Sequence, residues 1–256
     1  MIDKLAAVSA NAVIHEEVTI GPFAVIGDDV EIGRGTRIES HAVVQGPAVI
    51  GEDNHIFPYA CVGGDPQDMK YAGEPTRLVI GDRNTIREGC TINRGTVQDQ
   101  GVTTIGSDNW IMANVHVAHD CIVGDHVVVA NNTALGGHVR LANWVIVGGN
   151  SGIHQFSRVG AHAFIGMHVA LGKDLPAYVM AFGAPPVPRG INSEGLKRRG
   201  FDADQIRNIR EAYRLVYRQG KKLADAVEEL NQRVQSQPEI APFLASISDS
   251  QRSILR

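Results

Sequence analysis

The sequence contains few cysteines, few aromatic residues and little excess charge. Its three cysteines, Cys61, Cys90 and Cys121, are odd in number and are not spaced as zinc ligands are, so we expect them to be small buried apolar residues in a reducing compartment. Aromatic residues make up 5% of the chain, as expected for a core of small aliphatic side chains. The formal net charge of −4 indicates neither a nucleic-acid partner nor a membrane surface.

Long apolar runs are also absent. No stretch of about 18 consecutive apolar residues occurs in the 256 residues, so the sequence predicts no transmembrane helix. The first residues, Met1 to Lys4, lack the charged region and apolar run of a secretory signal. We therefore expect a cytoplasmic protein, long enough for one large domain and an appendage.

The most regular feature that is present is an aliphatic residue at every sixth position. A period of six fits neither an α-helix nor simple strand alternation. It is typical of hexapeptide repeats, which predict a mainly β fold: a left-handed parallel β-helix with three faces per coil. Residue n then lies over residue n+18, about 4.8 Å away. The uninterrupted run comprises Ile105, Ile111, Val117, Val123, Val129, Leu135, Leu141, Val147, Ile153, Val159, Ile165 and Leu171.

The same period begins near the N-terminus and is interrupted twice. It runs from Ile14 to Val62 and resumes at Ile80, so residues 65–77 are predicted to form an excursion loop that replaces one whole coil. A second break near Gln98 to Thr103 shifts the register by one, and the hexads together predict eight coils. Glycine follows several of the aliphatic residues, and we attribute this to the corners of the prism, where the backbone needs conformational freedom that other residues resist. These glycines are Gly21, Gly27, Gly33, Gly51 and Gly63.

After Leu171 the repeat weakens, and four prolines between residues 176 and 188 end it. Asp202 and Gln205 resemble a capping box that opens a helix, and Gly220 is a plausible stop. We predict a β-helix domain over residues 1–188 and a small C-terminal α-helical domain over residues 189–256. Because flat-sided prisms often associate side by side, closed three-fold symmetry is expected, which makes the protein a homotrimer.

Candidate site residues gather on adjacent coils. The segment 114–121 brings together His116, His119 and Asp120. The stacking rule then places Gly137 over His119, His138 over Asp120, and His154 over Gly136. An imidazole beside an exposed backbone N–H suits acyl transfer, because the base takes a proton from a hydroxyl while the N–H stabilises the oxyanion.

Two other interpretations remain open for these histidines. Each could be a surface residue at a turn of the solenoid, or His116 and His119 could share a metal with another subunit, as in β-helix carbonic anhydrases. The carboxylate next to His119 fits an orienting role about as well, so no metal and no cofactor are predicted. A non-catalytic scaffold on the same solenoid is the alternative from another class. A sugar nucleotidyltransferase would need a Gly-rich phosphate loop, which is absent.

Four segments together resemble the bacterial UDP-N-acetylglucosamine acyltransferases: residues 64–71, 74–82, 115–120 and 191–200. The resemblance implies transfer of an (R)-3-hydroxyacyl group from acyl carrier protein to the glucosamine 3-hydroxyl of UDP-N-acetylglucosamine, the first step of lipid A biosynthesis. It implies that His119 is the general base, with Asp120 beside it, and that Gly137 donates to the oxyanion. It implies substrate contacts for Gln67, Asp68, Lys70, His116, His138, His154, Gln155, Asn192, Glu194, Arg198 and Arg199.

Two positions depart from the family pattern. Asn93 replaces a His that is common in the family, which puts the role of that position in doubt. Met167 stands where some members carry Gly and accept long chains, so we hypothesise selection of a shorter donor of about ten carbons, since each methylene contact is worth ~0.8 kcal/mol. Met167 could instead be a flexible filler.

The predicted tail helix carries Arg207, Arg210, Arg214 and Arg218 at a spacing that places them on one stripe. Acyl carrier proteins are acidic, so this stripe is a candidate docking surface. A solvated helix face is an equally good interpretation.

Overall fold

A computed structural model describes residues Met1–Arg256 and confirms the predicted fold, a left-handed parallel β-helix followed by a small helical domain. We number the faces of the prism in the order in which the chain visits them. Face 1 has nine strands: Ala7–Val8, Val25–Ile26, Val43–Val44, Cys61–Gly64, Thr91–Asn93, His116–Val117, Ala134–Leu135, Gly152–Ile153 and Ala170–Leu171.

Face 2 has eight strands: Val13–Ile14, Val30–Ile32, Ala48–Ile50, Arg77–Ile80, Val102–Ile105, Ile122–Val123, Arg140–Leu141 and Arg158–Val159. Face 3 has ten: Thr19–Ile20, Arg37–Ile38, His55–Ile56, Thr85–Ile86, Trp110–Ile111, Val128–Val129, Ile146–Val147, Phe164–Ile165, Val179–Phe182 and Val187–Ile191. Pairing is parallel except between the last two strands. Eight coils predict eight strands per face. Face 1 has one more because Ala7–Val8 precedes the first counted hexad, and face 3 has two more because Val179–Phe182 and Val187–Ile191 follow the last.

The aliphatic residues at every sixth position form the core. From Ile105 to Leu171 each of them is at most 3% exposed, and burial of each such side chain contributes about 1.5–3 kcal/mol. Val117 lies over Leu135, and Leu135 over Ile153, so the predicted offset of 18 residues is confirmed in this region.

The corners of the prism are built differently from the prediction. At most corners the residue three positions after an inward aliphatic side chain has a positive φ, and it is seldom glycine; Asp120, His138 and Phe156 have φ of 59°, 61° and 67°. The predicted reason for the glycines is wrong for Gly21 and Gly33, which do not have positive φ. A β carbon on Gly21 would lie 2.8 Å from Ser40 N, and one on Gly33 would lie 2.7 Å from the Gly51 carbonyl carbon. These glycines allow close approach between coils.

The excursion loop does not replace a coil. Ile80 pairs with Ile50 on face 2 rather than continuing the column of Val62 on face 1, so the loop is an insertion at the corner between faces 1 and 2. The second break, residues 94–101, is an insertion at the same corner, since Ile105 pairs with Ile80. Both insertions therefore emerge where the coils carry Asp120 and His138.

The helical domain covers the last coil. It contains α1 (Ser193–Arg198), α2 (Ala203–Tyr217), α3 (Leu223–Arg233), a 3-10 helix (Pro238–Ile240) and α4 (Ala241–Ser248). The capping box predicted at the start of α2 is present. Tyr178 Oη donates to the Glu239 carbonyl at 2.9 Å, and Ala177 N donates to Ser246 Oγ at 3.0 Å. The face 3 sheet extends to Ile191, beyond the predicted domain boundary at residue 188.

All three cysteines are free, and Cys90 and Cys121 are buried as predicted. The prediction is wrong for Cys61, which is exposed because it precedes the inward Val62 in its strand and therefore points outward. None of the helices has both the length and the apolar character needed to cross a bilayer.

Candidate active site

A buried carboxylate–imidazole pair lies at the corner between faces 1 and 2. His119 Nδ1 is 2.9 Å from Asp120 Oδ2, and the Asp120 side chain is only 1% exposed. Thr96 compensates the buried carboxylate with two donors, its backbone N–H at 2.9 Å and its hydroxyl at 2.6 Å. Because a carboxylate only accepts, His119 Nδ1 donates to Asp120, which leaves Nε2 free to accept a proton.

Gly137 lies directly against this imidazole, as the stacking rule predicted. A β carbon on Gly137 would be 2.6 Å from His119 Cε1 and 2.8 Å from Nε2. The backbone N–H of Gly137 donates to no acceptor within the protein. A proton acceptor and an unpaired N–H donor are thus adjacent on the same wall, an arrangement that can serve acyl transfer because a base deprotonates the nucleophile while an N–H stabilises the oxyanion.

His138 is enclosed by groups from three coils and a loop. Its Nδ1 is 2.9 Å from Asp99 Oδ2, and its Nε2 is 3.8 Å from Asp120 Oδ2. The ring packs edge-on against His119 at 5.1 Å and stacks on Phe156 at 4.4 Å between centroids. Sequence reasoning missed Thr96, Asp99 and Phe156. The first two lie in the aperiodic insertion 94–101, where the stacking rule gives no positions, but Phe156 could have been found as the residue 18 after His138.

Two cavities meet at this corner. An open groove of about 520 Å³ runs along face 1, and small side chains such as Ala134, Gly152 and Ala170 form much of its floor. His116 and His154 also line it. A polar cavity of about 560 Å³ lies between the excursion loop and the imidazoles; it is lined by Gln67, Asp68, Lys70, Gln98, His119, His138 and Gln155 among others. The structure thus brings together the predicted residues of the loop and of the corner.

The remaining imidazoles have separate partners. His116 Nδ1 is 2.8 Å from the Thr91 hydroxyl, and burial, with a smaller effect of the charge of His119, lowers the pKa of His116. His154 Nδ1 is 3.0 Å from the Gln155 carbonyl, and most of the ring faces solvent.

The excursion loop is anchored at its start by Asn93, the last residue of a face 1 strand, and by Arg94, which follows it. Arg94, which is 7% exposed, donates to the Gly63 carbonyl at 2.6 Å and to Tyr71 Oη at 3.2 Å, and it pairs with the Asp65 carboxylate. Asn93 donates its amide to the Asp65 carbonyl at 2.7 Å. The residue that departs from the family pattern is thus buried beneath the loop.

The predicted uridine and phosphate contacts lie elsewhere on the chain. Asn192 is buried and caps α1 by accepting from Gly195 N, while Glu194 pairs with Lys197. Arg199 packs over the Trp144 ring at 4.9 Å and lies 3.1 Å from His162 Nδ1, at the corner between faces 2 and 3. Neither these residues nor Arg198 line the two cavities, and neither does Met167, which is 64% exposed.

The tail arginines divide into two groups. Arg210, Arg214 and Arg218 line a pocket of about 280 Å³ together with Arg189, which the helical stripe could not reveal because it lies on a strand. None of these four forms an ion pair within the chain. Arg207 lies outside this pocket and pairs with Asp204 at 2.6 Å.

Metal binding would disrupt this site. The ligand atoms of His119, Asp120 and His138 lie within 4.8 Å of one another. However, both Asp120 oxygens accept from Thr96, and His119 Nδ1 is directed at Asp120. An ion bound through His119 Nδ1 and Asp120 Oδ2 would have to replace these hydrogen bonds, whereas proton transfer through His119 Nε2 leaves all of them intact.

The hexapeptide coils define the class of this protein, the hexapeptide-repeat transferases. The family described as bacterial transferase hexapeptide (six repeats) matches residues 11–46 and 103–137. The second domain of UDP N-acetylglucosamine O-acyltransferase matches residues 174–255. Acyl-[acyl-carrier-protein]--UDP-N-acetylglucosamine O-acyltransferases of Pseudomonas entomophila (strain L48) and Ectopseudomonas mendocina (strain ymp) are 49% and 52% identical over 255 residues, which cover 100% of this chain and 99% of each relative.

Solved structures agree with this assignment. The UDP-N-acetylglucosamine acyltransferase of Francisella novicida superposes with a TM-score of 0.98 at 43% identity, covering 100% of this chain and 94% of that one. LpxA from Acinetobacter baumannii superposes with a TM-score of 0.97 at 47% identity, covering 100% and 99%. The chain belongs to the acyl-[acyl-carrier-protein]--UDP-N-acetylglucosamine O-acyltransferase family and is an O-acyltransferase, which confirms the resemblance seen in the sequence.

Proposed function

We propose that this protein transfers an (R)-3-hydroxyacyl group from acyl carrier protein to the glucosamine 3-hydroxyl of UDP-N-acetylglucosamine, as the first step of lipid A biosynthesis. The observation that carries the proposal is the contact between His119 and Gly137, which puts a proton acceptor next to a free N–H donor. The names of the relatives support the substrates.

In the proposed reaction His119 Nε2 takes the proton of the sugar 3-hydroxyl while the oxygen of that hydroxyl attacks the thioester carbonyl. The Gly137 N–H stabilises the oxyanion of the tetrahedral intermediate. The intermediate collapses by breaking the carbon–sulfur bond, and the imidazolium returns the proton to the leaving thiolate. Asp120 stabilises that imidazolium and orients the ring. The reaction passes through no acyl-enzyme on cysteine: Cys90 and Cys121 are buried, burial raises the pKa of each thiol, to about 11 and about 12, and the exposed Cys61 lines neither cavity.

Substrate placement follows from the two cavities. The apolar groove on face 1 suits an acyl chain, and its mouth carries His116 and His154. The polar cavity suits the sugar, with contacts from Gln67, Asp68, Lys70, His138 and Gln155.

The proposed contacts to uridine and phosphate require a second chain. Within one chain Glu194, Arg198 and Arg199 are remote from both cavities, so they reach the nucleotide only from a neighbouring subunit of a homotrimer. Asn192 contributes by capping α1, the helix that carries Glu194 and Arg198. Arg199 is already held by Trp144 and His162, which limits the positions that it can offer to a phosphate.

We propose that the arginine-lined pocket docks the acidic acyl carrier protein. Replacement of Arg210, Arg214 and Arg218 by Glu should raise the KM for the carrier protein by about tenfold or more while UDP-N-acetylglucosamine binding is unchanged. Arg207→Glu is the matched variant outside the pocket and should have a much smaller effect. An unchanged KM in the triple variant would exclude docking there.

Met167 is proposed to select a donor of about ten carbons. Since it does not line the groove of its own chain, this selection requires that Met167 reach the groove of a neighbouring subunit in the proposed homotrimer. Met167→Gly should shift the preferred donor toward longer chains. A wild-type preference for a fourteen-carbon donor would contradict the hypothesis.

The function is tested by measuring acyl transfer from carrier proteins loaded with hydroxyacyl chains of several lengths. His119→Ala should lower kcat by about 10²–10⁴-fold, the usual contribution of a general base. His55→Ala is the matched control, because His55 also pairs with a carboxylate, Glu39 at 2.7 Å, on face 3. Full activity of His119→Ala would move the base elsewhere, and a wild-type protein inactive with every donor would favour the scaffold interpretation.

A further inference from the structure

The Asp99 carboxylate takes no part in the proposed proton transfer. It lies in the insertion 94–101, next to Gln98, which lines the polar cavity. Its Oδ2 is 2.9 Å from His138 Nδ1, and the two side chains are 34% and 13% exposed. We propose that Asp99 is a positioning residue for the transfer reaction, which fixes Nδ1 of His138 as the protonated nitrogen and directs Nε2 toward Asp120 and the cleft. This inference rests on the proposed function.

Packing alone does not decide the orientation of the His138 ring. His119 contacts the ring edge-on, and Phe156 stacks on its face. Both contacts would remain after a 180° flip of the ring, which exchanges a nitrogen for a carbon. Asp99 discriminates between the two orientations, because a carboxylate accepts only from a protonated nitrogen. The other charged or titratable groups around the ring are Asp120 at 3.8 Å from Nε2, His119, and Asp68 and Lys70 across the cavity.

The loop does not require the Asp99 side chain to hold its shape. Its backbone is closed by Asp99 N and Gly101 N, which both donate to the Thr96 carbonyl at 3.3 and 3.0 Å. Gly95 N also donates to the Arg77 carbonyl at 3.2 Å. The Asp99 carboxylate is therefore available to accept a hydrogen bond from His138 Nδ1.

One short insertion thus supports both imidazoles at the centre of the site. Thr96 acts on His119 through Asp120, and Asp99 acts on His138 directly. Groups that fix the orientation and protonated nitrogen of a functional imidazole commonly have effects of 10–100-fold where metal ligands are concerned. The same physical argument applies to a ring that faces substrate.

The test compares Asp99→Ala and Asp99→Asn with the wild type. Loss of one charge-assisted hydrogen bond should lower kcat about tenfold in Asp99→Ala, with KM for both substrates within about twofold. Asp99→Asn should fall between, since its amide oxygen accepts the same hydrogen bond without the charge. Glu39→Gln, which breaks the Glu39–His55 pair outside the site, should leave kcat unchanged.

A spectroscopic readout separates positioning from a structural effect. ¹⁵N chemical shifts of labelled histidine, assigned with a His138→Gln variant, should report a protonated Nδ1 in the wild type and a mixture of tautomers in Asp99→Ala. A kcat within about twofold of wild type in Asp99→Ala would overturn the inference, and so would a loss of kcat with unchanged His138 shifts. If the wild type transfers no acyl group, the proposed function fails, and the shifts alone decide whether Asp99 sets the protonation of His138.

Discussion

Substitution of Gly137 by Ala tests the geometry of the site more sharply than removal of either imidazole. The new β carbon would lie 2.6 Å from His119 Cε1, whereas ordinary contact begins at 3.4 Å, so the ring must retreat by roughly 0.8 Å. It cannot do so freely, because its Nδ1 is bound to the buried Asp120. Misplacement of a catalytic group by about 1 Å costs about 10²-fold in rate. We expect kcat to fall about 100-fold.

The substitution preserves the proposed oxyanion donor, since Ala retains the backbone N–H. The loss of rate is therefore attributable to the displaced His119. Gly27→Ala is the matched control at the same corner of an earlier coil, because its β carbon would meet the Val44 carbonyl oxygen at an ordinary 3.5 Å. Steady-state transfer, thermal unfolding and calorimetric binding of UDP-N-acetylglucosamine would be measured for all three proteins.

We expect both variants to remain folded and to bind the sugar nucleotide within about threefold of wild type. Only Gly137→Ala should lose kcat. A folded Gly137→Ala protein with kcat within about threefold of wild type would refute the claim that His119 and Gly137 must remain in their present contact.

Two further predictions concern the excursion loop and the corner between faces 2 and 3. Arg94→Met removes the anchor of the loop, so hydrogen exchange in residues 65–77 should accelerate and kcat/KM for UDP-N-acetylglucosamine should fall about tenfold; unchanged exchange would contradict the anchoring role. Burial, and secondly the charge of Arg199, lowers the pKa of His162 to about 4 from 6.5. Because the unfolded chain binds this proton first, stability should be lost as the pH falls from about 6.5 to 4, by about 1–2 kcal/mol after allowance for solvent screening. His162→Phe should remove that part of the acid destabilisation in denaturant titrations, and an identical pH dependence in the two proteins would exclude it.

The period of six was sufficient to predict much of the fold and part of the site. It specified which side chains point inward, and the offset of 18 residues placed Gly137 over His119 without any coordinates. The reason is physical: in a solenoid each coil contacts only its neighbours, so a local repeat determines the contacts between coils.

The same rule failed where the chain leaves the coil. An insertion whose length is a multiple of six preserves the hexad count, so the sequence could not distinguish a replaced coil from a loop that carries Ile80 to face 2. Thr96 and Asp99 were missed because their positions depend on the shape of an aperiodic loop. The distance of Arg199 from the groove was missed because packing on Trp144 and His162 has no periodic signal.

The shared corner of the two insertions has an evolutionary consequence. Strands on either side of each insertion keep their pairing with the coils above and below, so a segment can be lengthened, shortened or exchanged there at little cost to the core. Residues that touch substrate or support the imidazoles can thus diversify in whole segments, while the side chains inside the prism remain under an unchanged packing constraint. Divergence among relatives in substrate preference should accordingly concentrate at this corner, and divergence in thermal stability along the faces.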